Sequence, residues 1–333
     1  MNIHEMKLDD VSLSPDLRLR PVQWSDVTAV ADLILAASIA DGDPTTTVTE
    51  DELNRFWSSP DVNIETDAWV VETKEGSIVG YEEFYSKHAH AAMLGDGYVH
   101  PEFHGLGIGT AMLRTLEARA RKEMEPAQPD VRVYIHNGVP ANDAAACELH
   151  ENEGYKAIRH SWHMETKLEQ APQVPSFPEG IELRPFVLDE QNYAVYEAHE
   201  DAFSDHWGHV RGTFESWNHH VVEHENFDPS LWYIAWDGGQ IAGYCLCRYR
   251  MESGWVGTLG VPRPWRKRGL GEALLMHAFS EFYKRGTKTI GLGVDAQNPT
   301  GATRLYKKAG MYVAFEAVVY EKELRPGRDA NEE

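Results

Sequence analysis

Three kinds of residue pattern are scarce in this sequence, and each scarcity removes a class of function. Only Cys147, Cys245 and Cys247 are cysteine among 333 residues, too few for a disulfide framework or a cysteine-built metal site. Cys245 and Cys247 are alternate residues of an expected strand and face the same side, so they read as neighbouring core positions. No apolar run reaches the ~18 residues a membrane span requires. The first twenty residues are mixed and charged, without a signal-peptide core, so the expectation is a soluble cytoplasmic protein, a monomer or homodimer, with no membrane partner. Cations are scarce too, with 31 Lys and Arg against 53 Asp and Glu and a net charge of −22. Such an acid excess serves solubility first, argues against a nucleic-acid partner and suits a cationic small molecule. Sixteen histidines are present, but none falls in an H-E-x-x-H or Cys/His spacing, and no metal is expected.

What is present is a globular composition, 42% hydrophobic and 11% aromatic, at a length that suggests two domains. Comparing the chain with itself supports this. Leu19-Arg20-Pro21 recurs as Leu183-Arg184-Pro185, and Ile78-Val79-Gly80-Tyr81 as Ile241-Ala242-Gly243-Tyr244. His104-x-x-Gly107-x-Gly109 recurs as Arg266-x-x-Gly269-x-Gly271. Between the copies, residues 170–180 carry Pro172, Pro175 and Pro178, which neither helix nor central strand accommodates. The expected division is residues 13–168, a linker at 169–180, residues 181–324 and a frayed tail at 325–333. Each half reads β-α-α-β-β-β-α-β-α-β.

The stretch 255–279 changes character sharply. An apolar run over 256–261 suits a buried strand and is stopped by Pro262 and Pro264. Arg263, Arg266, Lys267 and Arg268 then crowd ahead of Gly269-Leu270-Gly271, after which Leu270, Leu274, Ala278 and Phe282 recur on one helical face. Glycines allow close backbone approach, and the first N–H groups of a helix lack intrahelical acceptors. Together these suit a diphosphate. Neither the P-loop nor the Rossmann spacing is present. After a further strand come Asn298-Pro299-Thr300 and Leu305-Tyr306-x-x-x-Gly310-Met311.

These two motifs, in this order with a strand between them, resemble the GNAT superfamily of acyl-CoA-dependent N-acetyltransferases, twice over. The resemblance implies an α/β (α+β) fold of two tandem GNAT domains, each a mixed, mostly antiparallel sheet flanked by helices. It implies acetyl-CoA as cofactor, held in the second copy by Leu259, Gly260, Val261, Arg266, Lys267, Arg268, Gly269, Leu270, Gly271, Glu272 and Asn298. An N–H of Leu259 or Val261 would face the thioester oxygen, and Asn298 would sit at the N-cap of the last helix. Tyr306 stands where the family often places its general acid, and a phenol of pKa ~10 can protonate a leaving thiolate of pKa ~8.5. In the first copy the matching cofactor residues are Val99, His104, Gly105, Leu106, Gly107, Ile108 and Gly109. That copy has His104 for Arg266 and His150 for Tyr306, so it reads as catalytically degenerate, its helix residue His150 lying in an acidic run suited to a solvated face.

The acceptor in this family is shaped by the first two helices, here residues 193–225, where Asp205, His206, Trp207 and Glu223 suit a small-molecule primary amine. Asp205, His206, Glu223 and Asp295 are the candidate bases. The expected activity is acetyl transfer by direct attack in the second half; a non-catalytic acyl-CoA-binding or sensing protein is the alternative.

Overall fold

The computed structural model describes residues 13–43, 48–87, 90–209, 211–223 and 227–329. Residues 1–12 and 330–333, read from the sequence as frayed ends, lie outside these. The chain forms two compact units, one of residues 1–160 with 316–333, the other of residues 161–315.

Along the chain, the first set of elements is β1 (Leu17–Pro21), α1 (Val27–Asp41), α2 (Glu50–Trp57), α3 (Ile64–Asp67), β2 (Ala68–Thr73), β3 (Ile78–Lys87), β4 (Ala92–Val99), α4 (Ile108–Glu123), β5 (Val133–Pro140), α5 (Ala144–Asn152) and β6 (Lys156–Lys167). The second is β7 (Ile181–Pro185), α6 (Asn192–Phe203), α7 (Phe214–Val221), β8 (Trp232–Asp237), β9 (Gln240–Arg250), β10 (Ser253–Gly260), α8 (Leu270–Lys284), β11 (Thr289–Asp295), α9 (Ala302–Lys308) and β12 (Tyr312–Arg325). The element order in each half is the one the repeats imply, with the one-turn α3 added.

The compact units differ from the sequence halves because the last strand of each half pairs elsewhere. In the first unit the sheet order is β1-β2-β3-β4-β5-β12, and β12 lies antiparallel on β5 with Val318 opposite Val139 and Tyr320 opposite Asn137. In the second it is β6-β11-β10-β9-β8-β7, with Met164 of β6 opposite Leu292 of β11. Residues 326–329 are also tied down rather than frayed. The N–H of Arg328 donates to the carbonyl of Asp130 (2.9 Å), and that of Arg132 to the carbonyl of Arg328 (2.8 Å).

Hydrophobic periodicity explains the layers. Leu270, Leu274, Ala278 and Phe282 of α8 are at most 1% exposed and cover the second sheet. Ile108, Met112, Leu116 and Ala120 do the same from α4 in the first. The helices lie close because glycines leave room. The Phe282 ring sits 2.8 Å from where a side chain on Gly254 would begin, and Leu270 and Leu274 each approach 3.0 Å from that point on Gly243. On the opposite faces, α1 and α2 cover β2 and β3 around Trp57 and Tyr81, and α6 and α7 cover β8 and β9 around Trp217 and Tyr244. Among the described residues, no helix is long and apolar enough to cross a membrane.

Truncating Phe282 to alanine should destabilise the chain by ~3–5 kcal/mol, because the ring fills the space over Gly254 and no neighbour can collapse into it. Denaturant titration measures this; a loss under ~1 kcal/mol would show that α8 is not closely packed on the sheet.

Candidate functional site

The site begins where two parallel strands part. β10 and β11 pair only at Gly254–Ile290 and Trp255–Gly291. Beyond those pairs the strands splay, and the β11-facing peptide groups of Thr258 to Gly260 open into a cleft of about 770 Å³. On its other edge β10 is paired to β9 with a bulge between Val256 and Thr258, so Gly257 is the extra residue. A glycine suits the bulge, since the carbonyl of Leu246 lies 3.3 Å from where a side chain would start.

At one end of this cleft lies the basic turn. Lys267 (φ +63°) and Gly269 (φ +83°) are both left-handed, and Gly269 is the N-cap of α8. Successive amides of such a turn and of a helix start point outward and make a concave cradle for an anion. Lys267, Gly269, Leu270, Gly271 and Glu272 all line the cleft, with Leu259, Gly260 and Val261 beside them. Arg268 is not among the lining residues. Arg266 lines it too, yet its guanidinium is occupied by the protein: it donates to the carbonyls of Val261 (3.0 Å) and Ala202 (2.9 Å) and to Asp205 (3.0 Å). Arg266 thus pins the turn to the strand end, and the backbone amides with Lys267 are left to meet an anion.

Tyr306, on α9, belongs to the same cleft. Its side chain is 8% exposed, lines the cleft, and burial, with Cys245 adding to it, pushes its phenol well above the usual tyrosine range. The hydroxyl therefore stays protonated across the physiological range. Cys245 is fully buried with its Sγ 3.5 Å from that of Cys247 and is not part of the cleft wall. Asn298 lines the cleft, but it is not the N-cap of the last helix. That place belongs to Gly301 (φ +84°), while Asn298 Oδ1 accepts from the N–H (2.9 Å) and hydroxyl (2.6 Å) of Thr300 one turn earlier.

Of the four acceptor-side residues read from the sequence, the structure brings Asp205 and His206 to the cleft with Ala202 and Phe203 from the end of α6. It leaves Trp207 and Glu223 out of the wall. Glu223 accepts from Asn218 (3.1 Å) and contacts His219 (3.0 Å). Asp205 is gripped by Arg263 and Arg266, which hold its carboxyl down at about 2. His206 packs its ring 4.3 Å from that of Phe203, and burial, then the nearby Arg266 and His209, lower its pKa. It is therefore a neutral imidazole near pH 7. Asp295 lines the same cleft. Sequence reasoning missed Leu292, which only the fold brings to the wall.

The first unit repeats the phosphate-turn geometry. β4 and β5 pair in parallel from Ala92–Tyr134 to Gly95–Asn137 and then part. Gly105 (φ +78°) and Gly107 (φ +77°) are left-handed, and Gly107 is the N-cap of α4, which begins at Ile108. Gly109 packs on Leu149 and Val99, while Leu106 is exposed. Nε2 of His104 donates to the carbonyl of Val99 (3.2 Å), the same pinning contact that Arg266 makes with Val261. His150 is not on a solvated face. It is 8% exposed, its Nδ1 donates to the carbonyl of Ala146 (2.8 Å), and burial lowers its pKa.

Comparison with known proteins identifies the family and the fold. The model of the acetyltransferase (GNAT) family matches residues 36–155 and again 192–311. A mycothiol acetyltransferase of Catenulispora acidiphila is 27% identical over 311 residues, covering 89% of this chain and 95% of that protein. A crystal structure of a GCN5-related N-acetyltransferase from Sphaerobacter thermophilus superposes with a TM-score of 0.80 at 36% identity, covering 96% of this chain and 99% of the other. A tandem GNAT protein from the clavulanic acid biosynthesis pathway shares the fold, with a TM-score of 0.71 at 19% identity, covering 94% and 100%.

Proposed function

The chain belongs to the GNAT acetyltransferase family, an acetyl-CoA-dependent N-acetyltransferase, and from that premise we propose that its second unit transfers the acetyl group directly to a small-molecule primary amine. The observation that carries this is a single cleft whose wall holds both the phosphate cradle and the buried, protonated Tyr306. The residues fit coenzyme A. The cradle offers amides to the diphosphate, and the splayed strand offers unpaired peptide groups to an amide-bearing arm. Acetyl-CoA supplies the activated acyl group.

The protein's own groups divide the remaining work. An N–H of the splayed β10, at Leu259 or Val261, stabilises negative charge on the thioester oxygen. Tyr306 gives its proton to the departing sulfur, so that the C–S bond breaks as the new C–N bond forms. The attacking amine must shed a proton. Asp205 is tied to Arg263 and Arg266, and Glu223 lies away from the cleft. Of the remaining two, His206 is neutral near pH 7 and takes the proton, with Asp295 on the same wall supporting the imidazolium that results. The cleft's acids and aromatics and the chain's net charge of −22 favour a cationic acceptor. The named mycothiol acetyltransferase of comparable length makes that enzyme's own acceptor a sensible first amine to assay.

Tyr306→Phe should lower kcat by ~10² or more, with acetyl-CoA affinity unchanged by calorimetry, given the usual contribution of a general acid. Unchanged turnover would remove the phenol from the mechanism. The pH profile of kcat/KM should rise through an acid limb whose midpoint lies below ~6.5, the ordinary histidine value, because His206 must be unprotonated to act and its pKa is lowered. His206→Asn should abolish that limb and lower turnover by roughly 10²; a limb that survives the substitution belongs to another group.

A further inference from the structure

In the second unit the coenzyme turn and the acceptor side are tied together at one point. The guanidinium of Arg266 holds three pieces of chain. It donates to the carbonyl of Val261 just past β10 (3.0 Å), to the carbonyl of Ala202 in the last turn of α6 (2.9 Å) and to Oδ2 of Asp205 just beyond that helix (3.0 Å). Arg263, in the short helical turn before Arg266, donates from Nε to the same Oδ2 (3.0 Å) and from Nη2 to Oδ1. One carboxylate therefore closes a clamp between the phosphate turn and the chain leaving α6.

Neither stability nor coenzyme binding accounts for this clamp. The side chains of Asp205 and Arg263 are 36% and 59% exposed, and ion pairs so open to water add little to folding. Asp205 lines the same cleft as Lys267, Gly269 and Gly271, and its carboxylate occupies two arginines that an anionic diphosphate would otherwise attract. What the clamp does fix is the next residue. His206 follows Asp205 directly, outside any helix. Its N–H donates to the carbonyl of Phe203 (2.8 Å), its ring lies 4.3 Å from the Phe203 ring, and it stands on the cleft wall with Phe203 and Asp205. The end of α6 and the Asp205 clamp thus hold the imidazole together.

We propose that Asp205 is a positioning residue for the acceptor base: by bracing the end of α6 against the coenzyme turn it keeps the imidazole of His206 on the cleft wall, while weakening the hold of that turn on the coenzyme. This rests on the reading that His206 takes the proton of the attacking amine. The two effects have opposite signs. Removing the carboxylate frees Arg263 and Arg266 for the diphosphate and at the same time releases the base, whereas a general loosening of the site would weaken binding and turnover together.

The test is Asp205→Ala in the full chain. Calorimetry should find CoA bound about threefold or more tighter, while kcat falls about tenfold. In a His206→Asn chain the same substitution should cost no further turnover, because it acts through the imidazole. Asp205→Glu, which can still reach both arginines, should recover most of the loss. The acid limb of kcat/KM gives a further reading. Burial, then Arg266 and His209, lower the pKa of His206, and Asp295 and Asp205 raise it. Losing the Asp205 charge alone would move the limb to lower pH; releasing the ring into water moves it up toward ~6.5, and the proposal requires the upward move. Should the alanine chain not fold, Asp205→Asn, of the same shape without the charge, must show the same signs in binding and turnover. Unchanged kcat, losses from Asp205→Ala and His206→Asn that multiply, or weaker CoA binding each overturn the proposal. If His206→Asn alone leaves turnover intact, the base assignment fails and takes this proposal with it, an outcome read without altering Asp205.

Discussion

The early end of the parallel pairing between β10 and β11 is the constraint on which the rest depends. Two residue pairs are made and then the strands part, which leaves peptide groups facing each other across a gap too wide for a hydrogen bond. An unmade backbone hydrogen bond away from water costs ~1–3 kcal/mol, so a splay of this kind persists only if something outside the pair holds it open. Here the wedge is the packing of α8 and α9 beneath the parted ends. A side chain begun at Gly271 would meet Leu305 at 3.5 Å and Val261 at 3.7 Å, so the start of α8, α9 and the strand end lie close together. The same packing that stabilises the unit therefore keeps the peptide groups available to a ligand.

In the turn that feeds α8, side-chain charge is largely spent within the protein. Arg263 and Arg266 both engage Asp205, so much of the local positive charge is neutralised within the protein. What remains is conformational: left-handed Lys267 and Gly269 with the helix start. His104 makes the contact to Val99 that Arg266 makes to Val261. A shorter, weaker donor thus suffices in the first unit, as expected if the residue's task is to anchor the turn.

Much of this was legible in the residues and some was not, for physical reasons. The repeat, the buried faces of α4 and α8 and the glycine turns follow from local spacing, which is what sequence periodicity encodes; the interest of Tyr306 came from the resemblance to the family. The strand that completes each unit was not legible, because antiparallel pairing of β12 with β5 joins residues far apart in the chain and any apolar strand could serve. Nor were the partners of Asp205, 58 and 61 positions away, which turn an apparent amine-binding acid into a brace. His150 was misread as solvated because its neighbours in sequence are acidic. The residues that bury it, Tyr155 and Tyr320, stack their rings 5.2 Å from its own, and Tyr320 comes from the far end of the chain.

The bulge separates the units more sharply than any single side chain. β10 carries an extra residue, Gly257, between Val256 and Thr258, whereas β4 pairs with β3 without interruption from Ala92 to Val99. A bulge rotates the peptide groups that follow it and increases the local twist. In the second unit it re-aims the amides of Thr258 to Val261 just where the strand leaves its neighbour. Without one, the corresponding stretch of β4 stays in ordinary register, and Gly97 opens a space that the carboxyl of Glu82 fills. The re-aimed amides and the Leu259 side chain thus stand together in the second unit and are missing together in the first. That pairing of differences separates the two copies: one carries the bulge beside its parted strand, the other keeps the left-handed glycine turn and fills the space beyond it with Glu82.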